Sequence, residues 1–221
     1  MDPDPQEPAM NRSLAVGILM LGSCAAWAQE TPPTMAPPPA VDDSHAPASS
    51  EKAVLAGGCY WGTQGLFEHV KGIKRVVAGF TGGRNDEDGG AESVQITFDP
   101  KVLSYGRLLQ IFFSMHDPTQ LNRQGPDVGS GYRSDIFYLN DDQRRIAQAY
   151  VAQLDQSKVF PKKIVTRIDP MPLFNPVDLS QQDFMIKNPH MEYIEVNDVP
   201  KLQSLKQFFP ASYRAMPLQY W

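Results

Sequence analysis

A chain of 221 residues with 42% hydrophobic and 20% charged side chains can bury one ordinary core, and a second full domain is not expected. Its net charge of −5, without any run of Lys and Arg, argues against a phosphate-binding surface, so nucleic acid is excluded as a partner. Four scattered histidines and two cysteines show no metal-ligand spacing, and no glycine-rich phosphate loop follows a strand, so neither a metal nor a prosthetic group is expected.

From the N-terminus, "MDPDPQEPA" is acidic and Pro-rich, whereas "MNRSLAVGILMLGSCAAWAQE" has the grammar of a secretory signal, which makes Met10 the expected true start. Residues 1–28 read as that signal, cleaved after Ala28. The alternative is a lipobox, "LGSC", with Cys24 lipidated. The apolar run is far short of the ~20 residues of a spanning helix. The chain is therefore expected to be exported, in a bacterial periplasm, soluble or lipid-anchored through Cys24. Residues 29–50, rich in Pro, Ala and Ser, read as an extended, poorly ordered linker. Residues 51–221 read as one globular unit.

"KAVLAG" predicts a strand, and Leu66, Phe67 and Val70 follow helical spacing until Gly72. "IKRVVAGF" and "ESVQITF" are two further strands. Ser104 can cap a helix whose stripe is Leu108, Ile111, Phe112 and Met115. A loop with Gly125, Gly129 and Gly131 leads to the strand "SDIFYL", then to a helix from Asp141 to Ser157, a strand "KIVTRI", a long irregular segment and a final helix in "DVPKLQSLKQFF". Strand, helix, strand, strand, helix, strand is the order of a ferredoxin-like split βαβ core, so the expected class is α+β with an extra helix and a long irregular C-terminal segment.

After cleavage at Ala28 one cysteine remains, Cys59, in "AGGCYWGTQGLFEHV". A lone cysteine is most often buried filler. Here Gly57 and Gly58 end a strand and put Cys59 at the first turn of a helix, where unpaired N–H groups and the macrodipole favour a thiolate and lower the thiol's pKa. Tyr60 and Trp61 are either core aromatics or walls of a small apolar pocket. Alternation along the third strand puts Glu92 in phase with Val94, Ile96 and Phe98, which would raise its pKa and suit it to donate a proton; otherwise it lies beyond the strand end in solvent. Asp127 and Tyr132 stand in a glycine-punctuated loop, as site residues or as a turn former and a packed ring.

From Ala53 to Asn188 the stretches "GGCYWG", "GFTGG", "AESVQITFDP", "HDPTQ", "RQGPDVGSGYRS" and "KNP" follow one another in an order that resembles one family, the peptide methionine sulfoxide reductases of type A. The resemblance implies reduction of the S epimer of methionine sulfoxide, free or in oxidised proteins. Cys59 would be the nucleophile and Glu92 the acid, with Tyr60 and Trp61 around the substrate methyl and Asp127 and Tyr132 at the polar end. It implies a Cys59 sulfenic acid as product. After "KNP" no thiol follows, so the chain reads as a one-cysteine variant whose sulfenic acid is reduced by an external thiol, a small thiol or a thioredoxin-like protein. Two departures stand out. The loop before Glu92 is short, "RNDEDGG", with Gly90 where the family usually has His and no counterpart to its tyrosine, and Gly131 replaces a common Gln. The leading expectation is a monomeric reductase repairing oxidised envelope proteins. The alternative is a binding protein that holds methionine sulfoxide without turnover. A cysteine hydrolase comes third, because His69 is two to three turns along the helix from Cys59 and His116 reads as a packing residue.

Overall fold

The structure is a computed structural model and describes Met1, residues 33–42 and residues 49–220. The signal, its cleavage point and Cys24 lie outside the described residues. In chain order the elements are β1 (Glu51–Gly57), α1 (Tyr60–Glu68), β2 (Ile73–Thr81), β3 (Ala91–Phe98), α2 (Tyr105–Met115), β4 (Arg123–Gln124), β5 (Asp127–Val128), a 3₁₀ turn (Ser130–Tyr132), β6 (Ser134–Tyr138), α3 (Asp141–Ser157), β7 (Arg167–Pro170), β8 (Phe174–Pro176), α4 (Phe184–Lys187), a π turn (Ile194–Asp198) and α5 (Val199–Phe208).

The main sheet has the order β7-β6-β1-β3-β2-β8. Its inner strands β6, β1, β3 and β2 are antiparallel and carry the expected split βαβ arrangement, while β7 joins β6 in parallel and β8 joins β2. Val94, Ile96 and Phe98 alternate into a core shared with Leu55, Leu66, Phe67, Leu108, Ile111 and Ile136, all at most 5% exposed. Ser104 accepts from the Arg107 N–H at 3.2 Å and caps α2, as its sequence position suggests.

Two expectations are corrected. "KIVTRI" is not a strand throughout: Ile164 donates its N–H to Asp155 Oδ1 (3.0 Å) and Val165 to the Pro118 carbonyl (2.8 Å), so sheet pairing begins only at Arg167, opposite Asp135. Nor is all of 29–50 a loose linker. Residues 33–42 are extended but lie against α2 and α3, with Ala36 fully buried. The Pro-rich segment has few N–H groups, so its carbonyls do most of the bonding: Gln110 Nε2 donates to Ala36 O (2.8 Å), Tyr150 Oη to Pro37 O (2.6 Å) and Gln153 Nε2 to Pro38 O (2.8 Å). Asp42 accepts from the Gly106 N–H (2.8 Å) and the Ser104 hydroxyl, closing the segment onto the start of α2.

Candidate active site

The sequence builds the site around the entry to α1. Gly58, at φ 90°, turns the chain from β1, and a Cβ there would stand 2.5 Å from the Gln124 side chain, so Gln124 packs directly beneath the turn. Cys59 follows as the N-cap of α1, one position before its first turn, with its carbonyl accepting from the Thr63 N–H (3.3 Å) and hydroxyl (3.1 Å). The residue as a whole is partly buried, and its thiol faces the Trp61 N–H.

Phase along β3 brings Glu92 to the same place. Paired opposite Phe80 and half-buried, it accepts a hydrogen bond from the Tyr60 N–H at 2.9 Å and bonds to the Cys59 thiol. Burial, with help from the Asp127 and Asp86 carboxylates, raises the pKa of Glu92 to about 7 against the pull of its two hydrogen bonds. That is the raised carboxyl anticipated from the strand's alternation. The expectation for Cys59 fails: burial and the carboxylates of Glu92, Asp198 and Asp127 push its thiol up and outweigh the helix N-terminus. Resting Cys59 is a thiol beside a carboxyl that titrates near neutrality.

The rings are fixed by neighbours from far along the chain. Trp61 stacks on Phe184 with centroids 3.8 Å apart, meets Tyr193 edge-on at 6.0 Å, and donates its indole N–H to Gln181 Oε1 at 3.0 Å. Tyr60 is 8% exposed and packs edge-on against Trp61 and Phe80, so it is a core ring at the margin of the site. Asp127, on β5, accepts from the Tyr193 hydroxyl. Tyr132 is pushed up to about 12 by burial and by the nearby charges of Glu92 and Asp127. The structure thus brings together Cys59, Glu92, Tyr60, Trp61, Asp127 and Tyr132, taken from three separate stretches of sequence.

Residue types and spacing do not announce four further contributors: Phe184, Tyr193, Gln181 and Asp198. They lie in the irregular C-terminal segment, where no periodic pattern exists to read. Asp198 closes the π turn, 1% exposed, with Lys201 Nζ at 3.3 Å. A Cβ on Gly62 would lie 1.9 Å from Asp198 Oδ1, which explains the glycine that ends "GCYWG". His116 is no partner for the thiol. Its two ring nitrogens bond Phe112 O (2.7 Å) and Ser134 Oγ (2.8 Å), and burial lowers its pKa to about 4. A concavity of about 510 Å³ at the end of α3, around Lys158 and Phe160, contains none of the residues grouped at Cys59.

Comparison with known proteins decides the assignment. The family model "Peptide methionine sulfoxide reductase" matches residues 51–212. The chain belongs to that family. It is 50% identical to peptide methionine sulfoxide reductase MsrA 2 of Mesorhizobium japonicum over 80% of this chain and 96% of the relative, and 41% identical to MsrA of Chromobacterium violaceum over 72% and 96%. Among solved structures it resembles reduced Mxr1 from Saccharomyces cerevisiae (TM-score 0.58, 26% identity, 69% of this chain and 92% of the other). It also resembles methionine sulfoxide reductase A of Corynebacterium diphtheriae (0.56, 26%, 73% and 87%). As a member of the peptide methionine sulfoxide reductases, the chain is an oxidoreductase, a peptide-methionine (S)-S-oxide reductase that works at the expense of thiols. The comparisons favour this over the binding-only alternative.

Proposed function

We propose that Cys59 attacks the sulfoxide sulfur and that Glu92 delivers the proton to the sulfoxide oxygen. The observation that carries this reading is the Glu92 carboxyl itself, bonded to the Cys59 thiol and the Tyr60 N–H, with a pKa of about 7. A sulfoxide oxygen is a poor leaving group until it is protonated, and a neutral carboxylic acid next to the nucleophile supplies that proton. The thiol proton of Cys59 passes to the carboxylate left behind, so Glu92 ends the step protonated. Methionine leaves and Cys59 holds the oxygen as a sulfenic acid.

Trp61, braced by Phe184 and Tyr193, offers the apolar surface for the substrate methyl. Asp127 and Tyr132 hold the polar side. No second cysteine follows Cys59, so the sulfenic acid is reduced from outside: one thiol condenses with it to release water and form a mixed disulfide, and a second thiol displaces Cys59. A thioredoxin-like protein or a small thiol fills that role. The proposed enzyme acts as a monomer, and the signal-like leader suits repair of oxidised envelope proteins in the periplasm.

The test is incubation with a peptide containing the S epimer of methionine sulfoxide and dithiothreitol, following methionine by chromatography. Turnover lost in Cys59→Ser supports the reading. Turnover that survives in Cys59→Ser, or an intramolecular disulfide trapped during reaction, overturns it. Intact mass of the exported protein separates cleavage after Ala28 from lipidation of Cys24.

A further inference from the structure

The short loop before Glu92 forms a tight, braced turn. Asn175 Nδ2 donates to Gly83 O at 2.7 Å and Arg133 Nη1 to Gly89 O at 3.3 Å. Within the turn, the Gly89 N–H reaches Asp86 O (2.9 Å), the Gly90 N–H reaches Asn85 O (2.9 Å) and the Asp88 N–H reaches Asn85 Oδ1 (3.0 Å). These bonds project Asp86 across the loop that carries Tyr132. A Cβ on Gly131 would lie 2.4 Å from Asp86 Oδ1 and 2.8 Å from its Cγ, and one on Gly129 would lie 3.6 Å from Oδ2. Asp86 and Gly131 are therefore a matched pair: the carboxylate occupies the space that a side chain at 131 would need.

The carboxylate is exposed, yet close enough to the reacting groups for its charge to help keep protons on Glu92 and Tyr132. No cation among the described residues forms an ion pair with Asp86. Arg133 bonds Asp135 (3.2 Å), Ser130 O (2.9 Å) and Gly89 O, Lys201 bonds Asp198, and Arg84, on the same turn, makes no ion pair with Asp86. The rim of the site thus presents a carboxylate without an ion-pair partner among the described residues.

We propose that Asp86 is a specificity-determining residue, favouring methionine sulfoxide that carries a cationic group, an ammonium or a guanidinium, next to the oxidised side chain. The proposal rests on the site assignment at Cys59. The cation arises either from a flanking Lys or Arg or from the α-ammonium of an N-terminal methionine sulfoxide. Because Asp86 faces water, the preference is Coulombic, read mainly in KM and weakened by salt.

The experiment compares kcat/KM for blocked peptides with the sulfoxide flanked by Lys, Ala or Glu, and for an unblocked peptide with N-terminal methionine sulfoxide, at low and at high salt. The wild type is expected to prefer the Lys over the Glu peptide by about 5- to 10-fold at low salt, with the ratio falling toward unity at about 1 M salt. Asp86→Asn and Gly131→Gln should each collapse the ratio, while Asp86→Glu should keep most of it. Preference for the Lys peptide alone identifies a side-chain cation, and preference for the unblocked peptide alone identifies the α-ammonium; both support the proposal. Equal rates for Lys and Glu peptides in the wild type without preference for the unblocked peptide, or an unchanged preference in Asp86→Asn, overturn it. Failure to reduce even the Ala peptide is failure of the site assignment instead. In that case binding of the same peptides to Cys59→Ser, measured by calorimetry, still decides the charge preference.

Discussion

The two ends of α1 each hold a carboxyl whose proton is retained well above the usual carboxylate range, and only one of them does chemistry. At the N-terminal end Glu92, with a pKa of about 7, bonds the Cys59 thiol and the Tyr60 N–H and remains half-exposed. At the C-terminal end Glu68, 1% exposed, is raised to about 9 by burial and by the adjacent Asp183 carboxylate. Neither oxygen of Glu68 meets a donor among the described residues, so the neutral acid, itself a donor toward Asp183, is the form the fold accepts. That end is sealed by the chain's last residues: Leu218 donates to Glu68 O (3.0 Å), Arg214 to His69 O (2.8 Å), and the Tyr220 N–H to both Asp183 oxygens (3.1 Å each). A raised pKa is thus a mark of burial first; it becomes catalytic only where a nucleophile and an opening accompany it.

The sharpest way to break the comparison is at the open end. Glu92→Gln removes the proton donor and should lower kcat/KM by about 10²- to 10⁴-fold. In the wild type the rate should fall as pH rises through about 7, where Glu92 loses its proton; a rate that stays level between about pH 6 and 8.5 would contradict the assignment. Because the Glu92 charge also holds the Cys59 thiol up, iodoacetamide should alkylate Cys59 at lower pH in Glu92→Gln than in the wild type.

At the sealed end the same substitution should act on stability alone. Unfolded Glu68 ionises from about pH 4.5, while the folded chain keeps the proton to about pH 9, so folding takes up a proton across that window. Stability contributed by this group therefore falls as pH rises, by up to about 1.4 kcal/mol per pH unit. Urea unfolding of Glu68→Gln should lose that slope, with peptide reduction at neutral pH close to wild type.

Smaller effects sharpen the picture. Tyr193→Phe removes the hydroxyl that bonds Asp127 and should cost about 1 kcal/mol in kcat/KM, seen chiefly as a higher KM. Asp42→Ala removes the acceptor for the Gly106 N–H and the Ser104 hydroxyl and should lower stability by about 1 kcal/mol, read as an earlier urea midpoint without change in the Cys59 alkylation rate.

The inner sheet, both long helices and the Glu92 phase are legible in the sequence because each repeats locally, at two or 3.6 residues. The remainder depends on partners distant in the chain. Phe184 and Tyr193 reach Trp61 from segments without regular pattern, and "KIVTRI" has strand composition but spends its first hydrogen bonds on Asp155 and Pro118. The thiol's pKa escapes a reading of the sequence for the same reason, since the helix end is visible around Cys59 but its burial and the carboxylates of Glu92, Asp198 and Asp127 come from elsewhere in the chain.

The docked segment at 33–42 has a consequence for reach. Cleavage after Ala28 or before Cys24 would leave it attached in either case. A lipidated Cys24 would stand about nine residues from docked Pro33, a span of at most roughly 30 Å, against roughly 90 Å for a tether running to residue 50. So tethered, the enzyme would reach substrates no farther than that from whatever surface holds Cys24, a range that docking of residues 33–42 shortens about threefold.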